Sequence, residues 1–220
     1  MNNMKNNMKK TLLATLLGAT TLVSSVAHAE LSANASVVSN YLWRGLEQAD
    51  GGPAVQGGLD YSNESGFYAG TWASNVDFGG DAKIELDLYG GYTGSLNDKI
   101  EFDVGYVLFA YPGGEDGLNF GELYGNFSMD ALTVGIAVLA NATGADFGDS
   151  LYLSADYAIP LSNDFELGLH VGSYSGDFSS DTIDIGATIA KDSWAVGVSK
   201  VDEGDDEIKL YASYAWDFAL

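Results

Sequence analysis

The chain has 220 residues, 46% of them apolar, with 31 Asp+Glu against 9 Lys+Arg, a formal net charge of −22 and no Cys. The length allows one domain or at most two. The apolar content excludes wholesale disorder, the acidity excludes a binder of nucleic-acid phosphates, and the lack of Cys excludes disulfides, thiolate metal sites and a thiol nucleophile. A single chain must still accommodate a large excess of carboxylate beside this much hydrophobe.

Residues 1–29 read as a secretory leader. Lys5, Lys9 and Lys10 form a basic start, Leu12 to Val23 an apolar stretch too short to span a bilayer, and Ala27-His28-Ala29 a small-x-small cleavage site. Cleavage after Ala29 removes three lysines and no acid, which takes the net charge from −22 to −25. Export in a Gram-negative bacterium is expected. No long uninterrupted apolar run follows, so helical spans are excluded.

From Glu30 onward the sequence alternates with period two. The first strands are placed at 31–43, 53–61 and 67–75; in the last, Tyr68 and Trp72 compete for the apolar face with Phe67, Ala69 and Ala73. Lys83–Tyr92 sets Ile84, Leu86 and Leu88 against Glu85, Asp87 and Tyr89, and Ile100–Tyr111 sets Phe102, Val104 and Tyr106 against Glu101, Asp103 and Gly105. A strand at 120–129 follows, then Leu132–Val138, Leu151–Ile159, Phe165–Val171, Ile183–Ile189, Trp194–Ser199 and Ile208–Leu220. Strict alternation is the strand signature.

The connections alternate too. Short turns at Ser62–Gly66, Gly94–Lys99, Asp130–Ala131, Pro160–Asp164 and Lys191–Ser193 interleave with longer loops such as Gly45–Gly52, Asn141–Ser150 and Asp202–Asp206. Twelve strands with short turns at one end and longer loops at the other predict an all-β, antiparallel up-and-down transmembrane β-barrel over residues 30–220. Closure removes the strand edges that lipid cannot satisfy. Tyr41, Trp43, Tyr61, Tyr92, Phe127, Phe165, Trp194 and Phe218, near strand ends, suit interfacial girdles. The last strand, apolar at every second position up to Leu220, has the form of an outer-membrane assembly signal, which many such proteins end on Phe. A soluble periplasmic β-sandwich would also alternate, but these repeated hairpins leave no long Greek-key crossover.

The segment Asn40–Gly79, with Tyr41, Arg44-Gly45, Pro53-Ala54, Gln56-Gly57, Gly66-Phe67-Tyr68, Gly70, Trp72 and Ser74-Asn75-Val76, resembles the signature region of the TorF-type porin family. The resemblance continues at Glu85, Asp87, Tyr89 to Tyr92, Tyr111-Pro112, Asp156-Tyr157, Pro160 and Gly197-Val198-Ser199-Lys200. Leu46-Glu47 departs from it, since Ser or Thr commonly stands there. It implies a proteobacterial outer-membrane pore and supplies no substrate.

The alternation turns ten acids inward: Asp60, Glu85, Asp87, Glu101, Asp103, Glu122, Asp156, Glu166, Asp184 and Asp217. Lys209 is the clearest inward cation within a strand, and Arg44 stands inward at the outer mouth. A lumen so lined favours cations or zwitterions over anions, and the inward tyrosines Tyr89, Tyr111, Tyr124, Tyr152 and Tyr211 add faces for an alkylammonium. These twelve charged residues are the candidate selectivity set for passive diffusion of small hydrophilic solutes. Two other readings stay open: acids that only solvate a narrow lumen, and a closed barrel serving structure or adhesion. Catalysis is not expected. His170 is the only His after the leader, it lies inward at mid-strand as a packed lumen histidine, and no Gly-x-Ser-x-Gly motif is present. No cofactor and no metal site is expected; the run from Asp202 lacks the calcium-loop pattern. The expected partners are outer-membrane lipid, lipopolysaccharide and small solutes. Lys200 stands on the lipid-facing parity near the outer end, within reach of a lipid phosphate.

Overall fold

The computed structural model describes residues 30–176, 181–202 and 207–220. The leader expected over 1–29 and the acids Glu203, Asp205 and Asp206 lie outside the described residues. The elements in chain order are β1 (Glu30–Val38), β2 (Leu42–Trp43), β3 (Leu46–Glu47), β4 (Ala54–Ser62), β5 (Phe67–Asn75), β6 (Ile84–Asn97) and β7 (Ile100–Ala110). They continue with β8 (Phe120–Met129), β9 (Leu132–Ala142), β10 (Ser150–Pro160), β11 (Glu166–Gly176), β12 (Thr182–Lys191), β13 (Trp194–Val201) and β14 (Lys209–Ala219).

Twelve of these close into one antiparallel barrel, each paired with its chain neighbour and β1 pairing with both β14 and β4. No sheet edge is left to face an apolar surrounding without partners. The two remaining strands, β2 and β3, form a separate small hairpin in the connection between β1 and β4. The start of β1, the end of β14 and the short turns gather at one end of the barrel, since the first residues of β1 lie beside Ala219 and Ser62. The two-residue turns at that end place Asp130 (φ 53°) and Asp192 (φ 51°) in the left-handed region, which a short polar side chain tolerates.

The two faces of the wall differ as the alternation requires. Outward positions carry Val55, Leu88, Ile136, Ile185, Trp194 and Leu210, all exposed, with Val55 at 69%. Soluble surfaces do not carry a continuous apolar belt of this extent, whereas a lipid-facing barrel wall must. No acid of the described barrel strands takes an outward position. The β5 ambiguity resolves with Phe67 exposed outward and Tyr68 turned in, where its hydroxyl donates to Asp103 (2.5 Å). Tyr61, Phe127, Phe165, Trp194 and Phe218 are exposed, as girdle residues are.

Inside, tyrosines lie across glycines of neighbouring strands. A Cβ on Gly70 would meet the Tyr89 ring at 2.5 Å, on Gly91 the Tyr68 hydroxyl at 2.4 Å, and on Gly105 the Tyr124 hydroxyl at 2.5 Å. On Gly172 it would meet the Tyr152 hydroxyl at 2.1 Å, and on Gly197 Tyr211 at 2.3 Å. Each ring covers the backbone that its glycine leaves bare, so glycine in a strand marks the close approach of another group. These five tyrosines thus lie against the wall.

One predicted strand is corrected. The segment 31–43 does not run on as a strand: β1 stops at Val38 and the chain turns into the lumen. Tyr41 and Trp43 are therefore not girdle residues. Tyr41 is buried, and Trp43 packs inside the barrel among Phe109, Phe120 and Tyr174. The alternation of 39–43 is that of a second, inserted hairpin.

Candidate functional site

The inserted hairpin, between the β1 and β4 ends, organises the lumen. Its strands β2 and β3 pair Leu42 with Glu47 and Trp43 with Leu46. The two residues between them, Arg44 (φ 51°) and Gly45 (φ 78°), both take positive φ, as a type I′ turn requires. Gly45 also has no room for a side chain, since a Cβ there would stand 3.0 Å from Asp184 Cβ and 3.2 Å from Val201 Cβ. The tip thus rests against β12 and β13.

Arg44 leads this tip to the opposite wall. Its Nη1 and Nη2 donate to Glu122 Oε1 and Oε2 of β8 at 2.8 and 2.6 Å. The guanidinium carbon lies 4.1 Å from the Trp43 ring centroid, 4.2 Å from Tyr152 on β10 and 5.0 Å from Tyr174 on β11. Planar charge, forked donors and stacking are the combination that distinguishes Arg from Lys. In the cyclic strand order, β8, β10 and β11 straddle the side opposite the β1–β4 root. The hairpin therefore crosses the lumen and is fastened on the far side.

The root is fastened as well. Tyr41 Oη donates to Glu85 Oε1 (2.7 Å) and Tyr111 Oη to Glu85 Oε2 (2.8 Å). Burial and the neighbouring Glu85 push the Tyr41 hydroxyl well above its ordinary range, so it stays a donor. Asn40 Nδ2 donates to Glu47 Oε1 (2.7 Å), and Lys209 Nζ stands 3.4 Å from Glu47 Oε2. Val38, Tyr41, Ala49, Ala54 and Val76 form a small apolar core beneath the loop. The backbone of the loop is tied to its neighbour by Asp77 N to Gln48 O (2.8 Å).

The sequence-derived set of twelve charged residues thus divides by partner. Arg44, Glu85, Glu122 and Lys209 hold the hairpin. Asp156 and Asp184 clasp His170, whose Nδ1 lies 2.7 Å from Asp156 and Nε2 2.8 Å from Asp184; Tyr152 Oη joins the cluster 3.1 Å from Nε2. Glu166 is not part of it. Asp103 accepts from Tyr68, which also bonds Tyr124. Asp60 accepts from Tyr89, and from Asn34 Nδ2 at 3.0 Å. Asp87 keeps a buried Oδ1 with no hydrogen-bond partner among the described residues. Glu101 and Asp217 are exposed and Glu166 half-buried, all three at the short-turn end. Below the hairpin the described inward strand positions carry these carboxylates and, as their one basic side chain, His170.

Sequence reasoning missed the partners rather than the acids. The pattern assigns Trp43 to the girdle and gives Glu47 and Tyr174 no part in the lumen set, because a folded-in loop brings them together across the barrel. The available signal was Arg44-Gly45 between Leu42-Trp43 and Leu46-Glu47, a two-residue turn lacking the Asn-Gly or Asp-Gly that marks most type I′ hairpins.

A family described as a bacterial protein of unknown function, Gcw_chp, matches residues 23–218. The chain belongs to this family. Its description assigns no pore and does not supply the TorF-type name. No curated protein matches the chain. Among solved structures, the KdgM porin aligns with a TM-score of 0.58 at 12% identity, over 86% of this chain and 99% of that one. A KdgM porin in complex with disordered oligogalacturonate aligns at 0.55 and 11%, over 87% and 99%. The NanC porin aligns at 0.51 and 12%, over 86% and 99%. At such identities the likeness is one of fold: this Gcw_chp member has the closed twelve-stranded barrel of outer-membrane porins.

Proposed function

We infer that the protein is a porin-like channel of the bacterial outer membrane for passive diffusion of small hydrophilic solutes, with a preference for cations and zwitterions. The observation that carries this reading is the lumen below the hairpin, where Asp60, Asp87, Asp103, Asp156, Asp184, Glu101, Glu166 and Asp217 face inward with His170 as the basic side chain among them. Low-dielectric walls around such a set concentrate the field, attract cations and repel anions. The hairpin is the constriction at the outer end. Oligogalacturonate, named with the KdgM structure, is a polyanion that an acid-lined lumen disfavours. No step of bond chemistry is assigned to the protein.

Export with cleavage after Ala29 accords with this location. The acidic outer loops fit a shell of divalent cations shared with lipopolysaccharide phosphates. Swelling of proteoliposomes tests the reading. Alkylammonium and zwitterionic solutes should enter faster than a carboxylate of similar size; no swelling, or faster entry of the carboxylate, would overturn it.

The fastening of the hairpin on both walls favours a second reading, a closed barrel that serves structure or adhesion through its acidic loops. It predicts no solute entry even when the Arg44 anchor is removed.

A further inference from the structure

Three of the four groups around the Arg44 guanidinium belong to the barrel wall. Glu122 supplies a carboxylate that is 2% exposed, while Tyr152 and Tyr174 supply ring faces at 8% and 4%. These walls have their own supports. Tyr152 is held by His170 (3.1 Å) and Asp184 (3.1 Å), and it meets the Tyr174 ring edge-on at 6.1 Å. Only Trp43 and Arg44 itself come with the hairpin. The far wall therefore carries a formed cage of one carboxylate and two aromatic faces, and the hairpin brings to it a cation on a tether.

We propose that this cage is a guanidinium-binding site which Arg44 fills from within the chain, and that a guanidinium-bearing solute in the lumen competes for it and frees the hairpin tip. The ligand class follows from the geometry. Two parallel N–H···O contacts at 2.8 and 2.6 Å need a planar fork, and stacking on Tyr152 and Tyr174 needs a flat, weakly hydrated cation. An ammonium meets neither condition as well. Because Arg44 is tethered, its effective concentration is on the order of millimolar, so a solute displaces it only at comparable concentration. The remaining root contacts, Tyr41 to Glu85 and Asn40 to Glu47, keep the loop attached while the tip is exchanged. The release of the tip by a solute rests on the channel reading above; the existence of the site does not.

The test is titration of methylguanidinium into detergent-solubilised Arg44→Ala barrel by calorimetry, with tryptophan fluorescence as a second readout. We expect one saturable site in Arg44→Ala, about tenfold or more weaker binding in the wild type, where Arg44 competes, and no binding in Arg44→Ala/Glu122→Gln. Ethylammonium should bind Arg44→Ala more weakly than methylguanidinium. A folded Arg44→Ala barrel that binds no methylguanidinium, or binding that survives Glu122→Gln, would overturn the proposal. If Arg44→Ala does not fold, the same titration on Arg44→Gln decides in the same way. Conductance separates the two readings: a barrel that binds methylguanidinium yet passes no current retains the site and loses the channel.

Discussion

The Arg44–Glu122 pair can be weighed by a double-mutant cycle with Arg44→Met and Glu122→Met. The two side chains are 9% and 3% exposed and share two charge-assisted hydrogen bonds. At about 4 Å between charge centres and an effective dielectric near 20, their attraction is about 4 kcal/mol. Removing one partner leaves the other charge buried and unpaired, which costs about 3–5 kcal/mol in such pairs. Removing both leaves no orphan charge and adds apolar contact beside the Trp43, Tyr152 and Tyr174 rings, so the double variant should lose less than the sum of the two singles. The coupling energy expected is about 3 kcal/mol. It has a ceiling, because the hairpin undocks once its anchor costs more than its docking is worth. The assay is urea unfolding in lipid vesicles followed by tryptophan fluorescence, paired with hydrogen exchange across residues 42–47. Hydrogen exchange should rise in each single variant. A coupling below about 1 kcal/mol, with unchanged exchange, would show a solvated pair of the kind that contributes little and would refute the anchoring argument.

Other substitutions read the remaining parts of the lumen. Gly197→Ala places a methyl group against Tyr211, 2.3 Å from its Cζ and Oη, and should cost about 1–3 kcal/mol in unfolding free energy; in the Tyr211→Ala background that cost should vanish. Tyr41→Phe removes one of two hydroxyls donated to buried Glu85 and should lower stability by about 1–3 kcal/mol, with faster exchange at the loop root. Lys83→Ala should leave the unfolding midpoint unchanged, because its contact with Asp77 (2.7 Å) is exposed on both sides. The Lys83 ammonium holds the Asp77 carboxyl below its usual range, so the small benefit is present above the unfolded pKa and is lost as pH falls through the folded one. In the Lys83→Ala variant that acid-limb dependence should shrink, the part due to the Gly79 N–H bond to Asp77 remaining.

The barrel was legible in the sequence because lipid and water impose opposite demands on alternate residues. Ile84, Leu86 and Leu88 against Glu85, Asp87 and Tyr89 can be read in only one register, since a one-residue slip would carry the acids into lipid. The strand at 67–75 was not readable from pattern alone, because Tyr68 is apolar enough to face lipid. What turns it inward is the Asp103 carboxylate two strands away and the bare backbone of Gly91. Residues 39–53 were harder still. Tyr41 and Trp43 keep the period of β1, yet β1 stops at Val38, the positive φ of Arg44 turns the inserted hairpin, and only the packing of Trp43 on Phe109 and Phe120 shows where it goes. Facing could be assigned locally, whereas partners could not. The pairing of Glu122 with Arg44 joins segments 78 residues apart that only the closed barrel brings together, whereas His170 meets Asp156 directly across the β10–β11 hairpin and Asp184 on the next strand.

The central claim is that a lumen of inward carboxylates conducts and favours cations. Its most direct test is the zero-current potential of the wild-type protein and of Arg44→Met in a planar bilayer under a potassium chloride gradient. The account predicts discrete conductance steps, a potential of cation-selective sign in both proteins, and larger steps in Arg44→Met, where the hairpin has lost its far anchor. An anion-selective potential, or a bilayer that stays silent with both proteins, would contradict it.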